Sequence, residues 1–406
     1  MRCTRMTKPL CGLRVLDLSV ALSGPFCSLI LGDLGADVIK IEPPGGELFR
    51  NMGPYYRGEW SAYFVGINRN KRGIVLNLKT PAGRDAFYDL TRVSDVVLDN
   101  YRPGVLEKLK IDYPTLRDIN PRIIACSITG FGDGVCRNRT AFDLCVQAAG
   151  GILSVTGDEQ GNLVKVGVPI GDLSAGQFAA IGILTALAER ERSGLGQRVD
   201  VSMFDSQISL LSYLVAWYTT SGDVPRPLGT GHLGIEPYGI YRTGDGQLAL
   251  TIASEKFWQQ LCEVLGVPEM ASDPRFETVT CRHRNRSELT RVLERILSTK
   301  STAEWMMLME GAGIPAAPVN SVDRALREAC IGERNMLVKV DQPRFGTAYL
   351  SGNPVKLSRT PAEEFEPAPA LGQHTREVLA GLLGYSEEKI AEILKEGACE
   401  HSGASE

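Results

Sequence analysis

The chain has 406 residues, of which 43% are hydrophobic and 23% are charged, as in ordinary globular proteins, and its length favours two lobes. The net charge of -4 gives no support to nucleic-acid binding as the main role. No apolar run reaches the roughly 20 residues of a membrane span, and the basic N-terminus lacks the apolar core of a secretion signal. We therefore expect a cytoplasmic protein.

Cysteine and histidine are placed too sparsely for a metal centre. The ten cysteines include no Cys-x-x-Cys pair, and the four histidines include no pair spaced i, i+4. Metal sites are normally built from such clustered ligands. We expect reduced thiols, mostly buried as small apolar side chains, and no metal site.

The N-terminal half alternates short apolar segments with helical ones, a pattern that predicts an α/β doubly wound domain with a parallel sheet. The predicted strands are Leu13–Leu18, Val38–Glu42, Ile74–Leu78, Asp95–Asp99 and Ile123–Ile128. The first turn lacks the Gly-x-Gly-x-x-Gly of dinucleotide-binding folds, which disfavours a nicotinamide cofactor.

Basic and amide side chains lie in the predicted loops and first helical turns near these strands. They are Asn70, Lys71, Arg72, Arg102 and Lys108. Each basic residue alone is more typical of a solvated surface charge. As a set beside the crevice at the carboxyl ends of the strands, they would suit a phosphate-bearing ligand equally well.

A carboxylate, Asp172, stands between a turn rich in Gly and Pro and a helix that is predicted to begin at Ser174. Asp is a preferred N-cap residue, so we expect Asp172 to cap this helix. The positive end of the helix macrodipole would favour its ionised form. The small residues Ser174 to Gly176 leave room for a bulky group to approach, so a reactive carboxylate is the alternative to a simple cap.

The second half of the chain begins with an apolar segment. A helix apolar on all sides is predicted over Gln207–Thr219, which indicates burial in the core or at a subunit contact. The stretch Ser221–Pro227 is the best linker candidate. Beyond a loop from Gly229 to Pro237, Tyr238–Arg242 and Gln247–Ile252 predict a hairpin with an Asp-Gly turn.

Nine short motifs, in order along essentially the whole chain, give it a resemblance to the family III coenzyme A transferases, which include formyl-CoA:oxalate and carnitine-related CoA transferases. Each motif is weak alone, whereas nine in order are highly specific. They are Leu31–Glu42, Asn70–Arg72, Asn100–Gly104, Phe142–Asp143, Gln147–Gly151, Gly167–Asp172, Ser272–Phe276, Gly313–Ile314–Pro315 with Pro318–Val319, and Leu371–Thr375.

The resemblance implies an architecture as well as a function. We expect a Rossmann-like large domain over residues 1–224, a smaller α+β domain over 225–330, and a C-terminal segment over 331–406 that returns to and completes the large domain. Two such chains would interlock as a homodimer. A heteromer in which this chain is the active subunit is the alternative.

The resemblance also implies the chemistry. Asp172 would attack the thioester carbonyl of an acyl-CoA to give a mixed anhydride, and the CoA thiolate would then form an aspartyl-CoA thioester. Asn70, Lys71, Arg72, Asn100, Arg102 and Lys108 would contact CoA, which is a substrate here, and no permanently bound cofactor is expected. For the donor we expect succinyl-CoA or another dicarboxylic CoA ester, and for the acceptor an aromatic or branched carboxylic acid.

Two positions depart from the family pattern. Leu22 replaces a glutamine of formyl-CoA transferase, which argues against formyl or oxalate substrates. The family's glycine loop corresponds to Gly229, Gly231, His232 and Gly234, with His232 as a candidate substrate contact.

A 2-methylacyl-CoA racemase of the same fold is the competing interpretation. Such racemases resemble this chain in the large domain and place an aspartate where Asp172 stands. They also need a histidine base immediately before the aspartate that corresponds to Asp143. Phe142 occupies that position, which disfavours the racemase.

Overall fold

The computed structural model describes residues 8–400. Up to Ser221 the strands are β1 (Arg14–Asp17), β2 (Asp37–Glu42), β3 (Tyr56–Arg57), β4 (Trp60–Ser61), β5 (Lys71–Leu76), β6 (Val96–Asp99), β7 (Ile124–Thr129) and β8 (Arg198–Ser202). The helices of this part are α1 (Ser23–Asp33), α2 (Ala62–Ile67), α3 (Pro81–Arg92), α4 (Val105–Leu109), α5 (Tyr113–Ile119), α6 (Asp143–Ala149), α7 (Ile170–Ser193), α8 (Met203–Leu211) and α9 (Tyr213–Ser221).

The middle of the chain contains a smaller set of elements. They are β9 (Tyr238–Arg242), β10 (Gln247–Thr251), α10 (Glu255–Val264), α11 (Val279–Arg284), α12 (Arg286–Leu297), α13 (Thr302–Gly311), β11 (Ala316–Pro318) and α14 (Val322–Ala325). The C-terminal part contains α15 (Ala329–Glu333), β12 (Leu337–Gln342), β13 (Gly346–Ser351), α16 (Thr375–Gly381), α17 (Glu387–Lys395) and β14 (Cys399–Glu400).

The chain divides into two compact units. The first comprises Met1–Ile152, Val166–Thr219 and Ala329–Glu406, and the second comprises Leu153–Lys165 and Thr220–Glu328. The second unit therefore includes a short excursion just before the segment that carries Asp172. Its core surrounds the antiparallel sheet β11-β10-β9, on which Trp258 and Trp305 are fully buried.

The first unit is built on a seven-stranded sheet in the order β14-β5-β2-β1-β6-β7-β8. The last six of these pair in parallel, as predicted, and the α/β fold is confirmed. Strand β14 instead runs antiparallel to β5, with Cys399 opposite Leu76. The C-terminal end of the chain thus forms one edge of the sheet that the N-terminal half begins.

Each face of this sheet has its own apolar core. One core packs α3, α16 and α17 against the strands through residues such as Phe87, Leu90 and Val378. The other packs α1 and α7 through residues such as Leu31 and Ile183. Burial at roughly 25 cal/mol per Å² of apolar surface makes these two layers the main source of stability and fixes the direction of α7.

Helix α7 has the length and mean hydropathy of a membrane span, with 1.4 over its most apolar 18 residues. A core helix satisfies the same criteria, and α7 supplies Ala175, Ala179, Ala180, Ile183 and Ala186 to the buried core beneath the sheet. The composition of α7 is accounted for by this packing.

The apolar stretch Gln207–Thr219 differs from its prediction as one buried helix. It forms two helices, because Ser212 adopts a φ of 47° and interrupts the helical path between α8 and α9. No residue of α9 is buried within the chain, and Trp217 and Tyr218 remain 38% and 49% exposed. Burial in the chain's own core is therefore wrong, and a subunit contact stays a prediction.

Candidate active site

The order of the parallel strands reverses between β1 and β6. In open α/β sheets, ligands bind in the crevice that such a reversal creates at the carboxyl ends of the strands. The loop after β1 runs from Leu18 to Leu22 and the loop after β6 runs from Asn100 to Gly104. Both loops therefore end at the crevice where a substrate is expected.

Asp172 lies in the first turn of α7, but it is not the N-cap. The helix begins at Ile170, after Pro169 at the N-cap position. An oxygen of Asp143 on α6 accepts the backbone N–H of Gly171 at 2.8 Å, so a side chain distant in sequence satisfies one free N–H of the first turn. The predicted cap is wrong for this reason, and the Asp172 carboxylate is left available for other interactions.

The surroundings of Asp172 raise the pKa of its carboxyl to about 6, chiefly by partial burial and secondly by the negative charge of Asp143. The polar groups of Ser23 oppose this rise in the pKa. At pH 7.5 the group is therefore ionised but incompletely solvated. A carboxylate in this condition is a better nucleophile than one in bulk water.

The side chain of Asn100 holds the loop after β1 by hydrogen bonds. The side-chain oxygen of Asn100 accepts from Val20 N–H at 2.9 Å, and its amide nitrogen donates to Val20 C=O at 2.8 Å. Ala21 is held at a φ of 61°, with its N–H donated to Glu47 at 3.0 Å. This left-handed conformation is uncommon for a non-glycine residue, and such local strain is often found at functional sites.

Lys71, predicted in a loop, is the first residue of β5, and its ammonium is fully buried. The Lys71 Nζ lies 3.2 Å from an oxygen of Asp17 and donates to Asn68 at 2.8 Å and to Pro25 C=O at 3.0 Å. All its protons have partners inside the chain. Burial opposes ionisation of Asp17, but the charges of Lys71 and Lys40 hold the pKa of that carboxyl at about 2.

The neighbours of Lys71 also have internal partners. Arg72, likewise in β5 and not in a loop, forms two hydrogen bonds to Asp37, at 2.9 and 2.6 Å. The Asn70 side chain donates to Asp33 at 2.8 Å and accepts the N–H of Glu366 at 2.7 Å. Asn70 thereby joins the sheet to the C-terminal segment. The predicted contacts of Asn70, Lys71 and Arg72 with CoA stay predictions.

Arg102 and Lys108 are placed differently, since both are exposed. Arg102 follows β6, and Lys108 lies on α4 as predicted. Arg102 also lines a cavity beside the carboxyl ends of β6 and β7 and the first residue of β8, Arg198. Arg137 lines it too, and the sequence did not single out Arg137 or Arg198. Arg198 pairs with Asp133 in this cavity. The sequence signal for these residues was the charged side chains that follow β7, Asp133 and Arg137. The strand order was needed to show that they lie beside Arg102.

The loop that carries Gly229, Gly231, His232 and Gly234 belongs to the second unit. Gly229 N–H donates to Gly157 C=O at 3.0 Å. A β-carbon at Gly231 would lie 1.9 Å from the guanidinium of Arg286, so that flexible side chain would have to shift. His232 accepts Gly234 N–H at 3.0 Å, and its ring centroid lies 5.3 Å from that of Tyr238. A substrate contact by His232 stays a prediction.

Neither a metal centre nor the histidine of a racemase has support at this site. Residues 8–400 contain no group of three or more His, Cys, Asp or Glu side chains arranged to hold a metal ion. Phe142, at the position where a racemase needs its base, is the N-cap of α6 and is 67% exposed. Within residues 8–400, the histidine of the first unit is His374, and its Nδ1 accepts the N–H of Gly73 at 3.1 Å.

Comparison with known proteins agrees with this arrangement. Residues 10–375 match CoA-transferase family III. The chain is 37% identical to succinyl-CoA:glutarate CoA-transferase from Mus musculus, over 97% of this chain and 91% of that protein. It is 40% identical to acetyl-CoA:oxalate CoA-transferase from Acetobacter aceti, over 86% and 89% of the two chains.

A solved structure shows the same fold. The CAIB/BAIF family protein from Brucella suis superposes with a TM-score of 0.84 at 34% identity, over 92% of this chain and 99% of that chain. The agreement covers both sequence and fold over most of the chain, so the resemblance seen in the nine motifs is confirmed. The chain belongs to CoA-transferase family III and is a CoA-transferase.

Proposed function

We propose that Asp172 is the nucleophile that carries the acyl group and then CoA between two carboxylic acids. The observation that carries this proposal is a partly buried carboxylate in the first turn of the 24-residue helix α7, with a pKa of about 6. Such a group is ionised at neutral pH, and the helix N-terminus favours the negative charge.

The transfer takes four displacement steps. A carboxylate oxygen of Asp172 attacks the thioester carbonyl carbon, so that a C–O bond forms, the C–S bond breaks and CoA thiolate leaves. The thiolate attacks the aspartyl carbonyl carbon and expels the donor acid, which leaves an aspartyl-CoA thioester. The acceptor carboxylate then displaces thiolate to form a second anhydride, and thiolate attack on the acceptor's carbonyl carbon releases Asp172.

No proton is gained or lost in these steps. Each nucleophile and each leaving group is an anion, either a carboxylate or a thiolate, so a general base near Asp172 is unnecessary. The lack of a histidine at Phe142 is therefore compatible with CoA transfer, whereas it is incompatible with α-proton abstraction. Partial burial of Asp172 also limits hydrolysis, because water would consume the anhydride.

The names of the relatives support a proposal for the substrate class. One is named for succinyl-CoA and glutarate, and another for acetyl-CoA and oxalate. We assign the chain a dicarboxylic CoA ester such as succinyl-CoA as donor. The relatives favour a dicarboxylic acceptor over the aromatic or branched acid expected from the sequence, and the oxalate relative weakens the argument from Leu22. A panel of acceptors with succinyl-CoA and acetyl-CoA would identify the pair.

The exposed apolar helix α9 supports the proposed dimer. Tyr213, Trp217 and Tyr218 are between 38% and 51% exposed on a helix with no buried residue. Exposed apolar patches of this kind mark protein–protein contacts. A second copy of the chain is the occupant we propose, with a paralogous subunit as the alternative, and sedimentation equilibrium of the purified chain distinguishes the two.

Arg102→Ala is expected to raise the KM for acyl-CoA about tenfold, because one charge-assisted contact with a phosphate is worth roughly 1–3 kcal/mol. Arg102 is exposed, so the melting temperature should not change. Steady-state kinetics at two salt concentrations check the result, since added salt weakens a phosphate contact.

The matched control for Arg102 is Arg117→Ala. Arg117 is a 54% exposed arginine paired with Asp118 on α5, outside the crevice loops, and its removal should leave KM unchanged. An equal rise of KM in both variants would show a general charge effect and would remove Arg102 from the CoA site.

Trapping of the intermediate tests the whole proposal. The protein is incubated with succinyl-CoA without an acceptor and is then treated with hydroxylamine or borohydride. The aspartyl thioester should yield an aspartyl hydroxamate or an alcohol at Asp172 alone, identified by peptide mass spectrometry. An active protein with Asp172 unmodified would contradict the mechanism, and rapid α-proton exchange of a 2-methylacyl-CoA in deuterium oxide would indicate the racemase.

A further inference from the structure

The side chain of Gln147, on α6, is fully buried, and both ends of its amide have partners within the protein. Its oxygen accepts the N–H of Val166 at 3.1 Å, and its nitrogen donates to an oxygen of Asp143 at 2.7 Å. The two contacts determine which end of the amide is nitrogen, since a flipped amide would oppose like groups at both. Gln147 therefore connects α6 to a second part of the chain.

The contact with Val166 lies on the segment that leads to the nucleophile. The chain leaves the first unit after Ile152 and returns to it at Val166, and α7 begins shortly afterwards at Ile170. A pair such as Asp143 and Gln147, four residues apart on one helix, would by itself stabilise only that helix. The contact with Val166 makes Gln147 a link between α6 and the returning chain.

The contact with Asp143 reaches α7 itself. One oxygen of Asp143 accepts from Gln147, and the other accepts Gly171 N–H at 2.8 Å. Gly171 directly precedes Asp172. A β-carbon at Gly171 would lie 2.7 Å from Val146 Cγ2 and 2.9 Å from Asp143 Oδ1, so α6 packs directly against the turn that carries the nucleophile. A displacement of the Asp143 side chain would therefore displace that turn.

We propose that Gln147 is a positioning residue, which sets the place of the Asp172 carboxylate by holding the Asp143 side chain and the chain at Val166. The inference rests on the proposed function of Asp172. The place of Asp143 also matters electrostatically, because its negative charge is one cause of the raised pKa of the nucleophile. Loss of Gln147 should therefore impair the chemical steps more than the binding of CoA.

Gln147→Ala removes both contacts. Because a misplacement of about 1 Å at a reacting group lowers a rate about 100-fold, we expect kcat to fall about 10- to 100-fold. The Kd for CoA, measured by isothermal titration, should stay within about twofold of wild type, since Gln147 acts on the nucleophile and not on the ligand.

The matched control is Gln342→Ala. Gln342 is also a buried glutamine with two hydrogen bonds, and it donates to Ala368 C=O and accepts Ala368 N–H, both at 2.9 Å. Its removal should lower the melting temperature about as much as Gln147→Ala does and leave kcat unchanged. Equal kcat values in the two variants would overturn the proposal.

Gln147→Glu separates the two contacts. The introduced carboxyl group can still accept Val166 N–H, but when ionised it repels Asp143, and when protonated it regains a donor. One proton shared by the two carboxyl groups leaves the net charge that Asp143 has in wild type. The ionisable groups near this pair include Asp172, with which Tyr63 interacts in turn.

The pH dependence of Gln147→Glu therefore has a defined sign. Relative to wild type at the same pH, kcat/KM should be about tenfold lower at pH 8 and about twofold lower at pH 6. Division by the wild-type value removes the titration of Asp172 itself. A ratio that does not change between pH 8 and pH 6 would overturn the role of the Asp143 contact. If Gln147→Ala does not fold, this variant carries the test.

Hydroxylamine trapping separates this inference from the proposed function. If Asp172 is marked in wild type while Gln147→Ala has the kcat of Gln342→Ala, positioning by Gln147 is wrong and the nucleophile stands. If Asp172 stays unmarked in active wild-type protein, the proposed function fails, and this inference fails with it. Marked Asp172 together with the selective loss of kcat in Gln147→Ala supports both.

Discussion

Asp172→Asn is expected to lower CoA transfer at least about 10⁴-fold, as the loss of a covalent nucleophile does in other enzymes. The asparagine amide has the size of the carboxylate, but it is not a nucleophile that forms an anhydride with the acyl group. Binding of CoA should persist, because the exposed charges of Arg102 and Lys108 are untouched. Isothermal titration with CoA and steady-state transfer of the same preparation separate binding from chemistry.

The same substitution should stabilise the fold above pH 6. The pKa of Asp172 is raised from 3.8 to about 6, so the native protein binds a proton more tightly than the unfolded chain does. Stability attributable to this group is therefore greatest below pH 4 and is lost as pH rises through 6. A neutral asparagine avoids that loss, which amounts to about 1–3 kcal/mol at pH 8.

Urea unfolding of the wild type and of Asp172→Asn at pH 8 and at pH 4.5 checks this sign. The gain in the free energy of unfolding should be present at pH 8 and mostly absent at pH 4.5. Asp118→Asn is the control, because its side chain is 71% exposed, and both activity and stability should stay within about 0.5 kcal/mol of wild type. A less stable Asp172→Asn protein at pH 8 would show that the carboxylate is stabilised by its surroundings and not strained by them.

The parallel sheet could be predicted because its strands are short apolar runs between turn residues. Each predicted strand is present within a few residues of its expected ends, and the hairpin β9–β10 differs from its predicted bounds by one residue, since β10 ends at Thr251 and not at Ile252. Buried parallel strands are apolar on both faces, so their signal lies within the segment itself. The strand order, and therefore the crevice between β1 and β6, required contacts that no local pattern contains.

Residues of the candidate site could be predicted when their role depends on their own type. Features that depend on a partner distant in the sequence were missed. Asp172 stood out as a carboxylate at a helix start. The start itself was misplaced because Asp143, 28 residues away along the chain, binds Gly171 N–H.

Lys71→Met is expected to lower the free energy of unfolding by about 3–5 kcal/mol, because it leaves Asp17 charged and buried without its closest cation. Asp17 is fully buried, and its carboxylate lies 3.2 Å from the Lys71 Nζ. A surface phosphate contact would behave in the opposite way, with a raised KM for CoA and an unchanged melting temperature. The contrast with Arg102→Ala therefore distinguishes structural from ligand-binding basic residues.

Removal of the unpaired Asp17 charge should restore much of the lost free energy of unfolding. In the double variant Lys71→Met with Asp17→Asn no carboxylate is left unpaired, and a well-packed neutral pair often matches a buried ion pair in stability. Urea unfolding of both single variants and of the double variant gives the coupling energy directly. A double variant no more stable than Lys71→Met would mean that Lys71 acts mainly through Asn68 and Pro25. An unaltered melting temperature in Lys71→Met would instead return this lysine to the set of phosphate contacts that the sequence predicted.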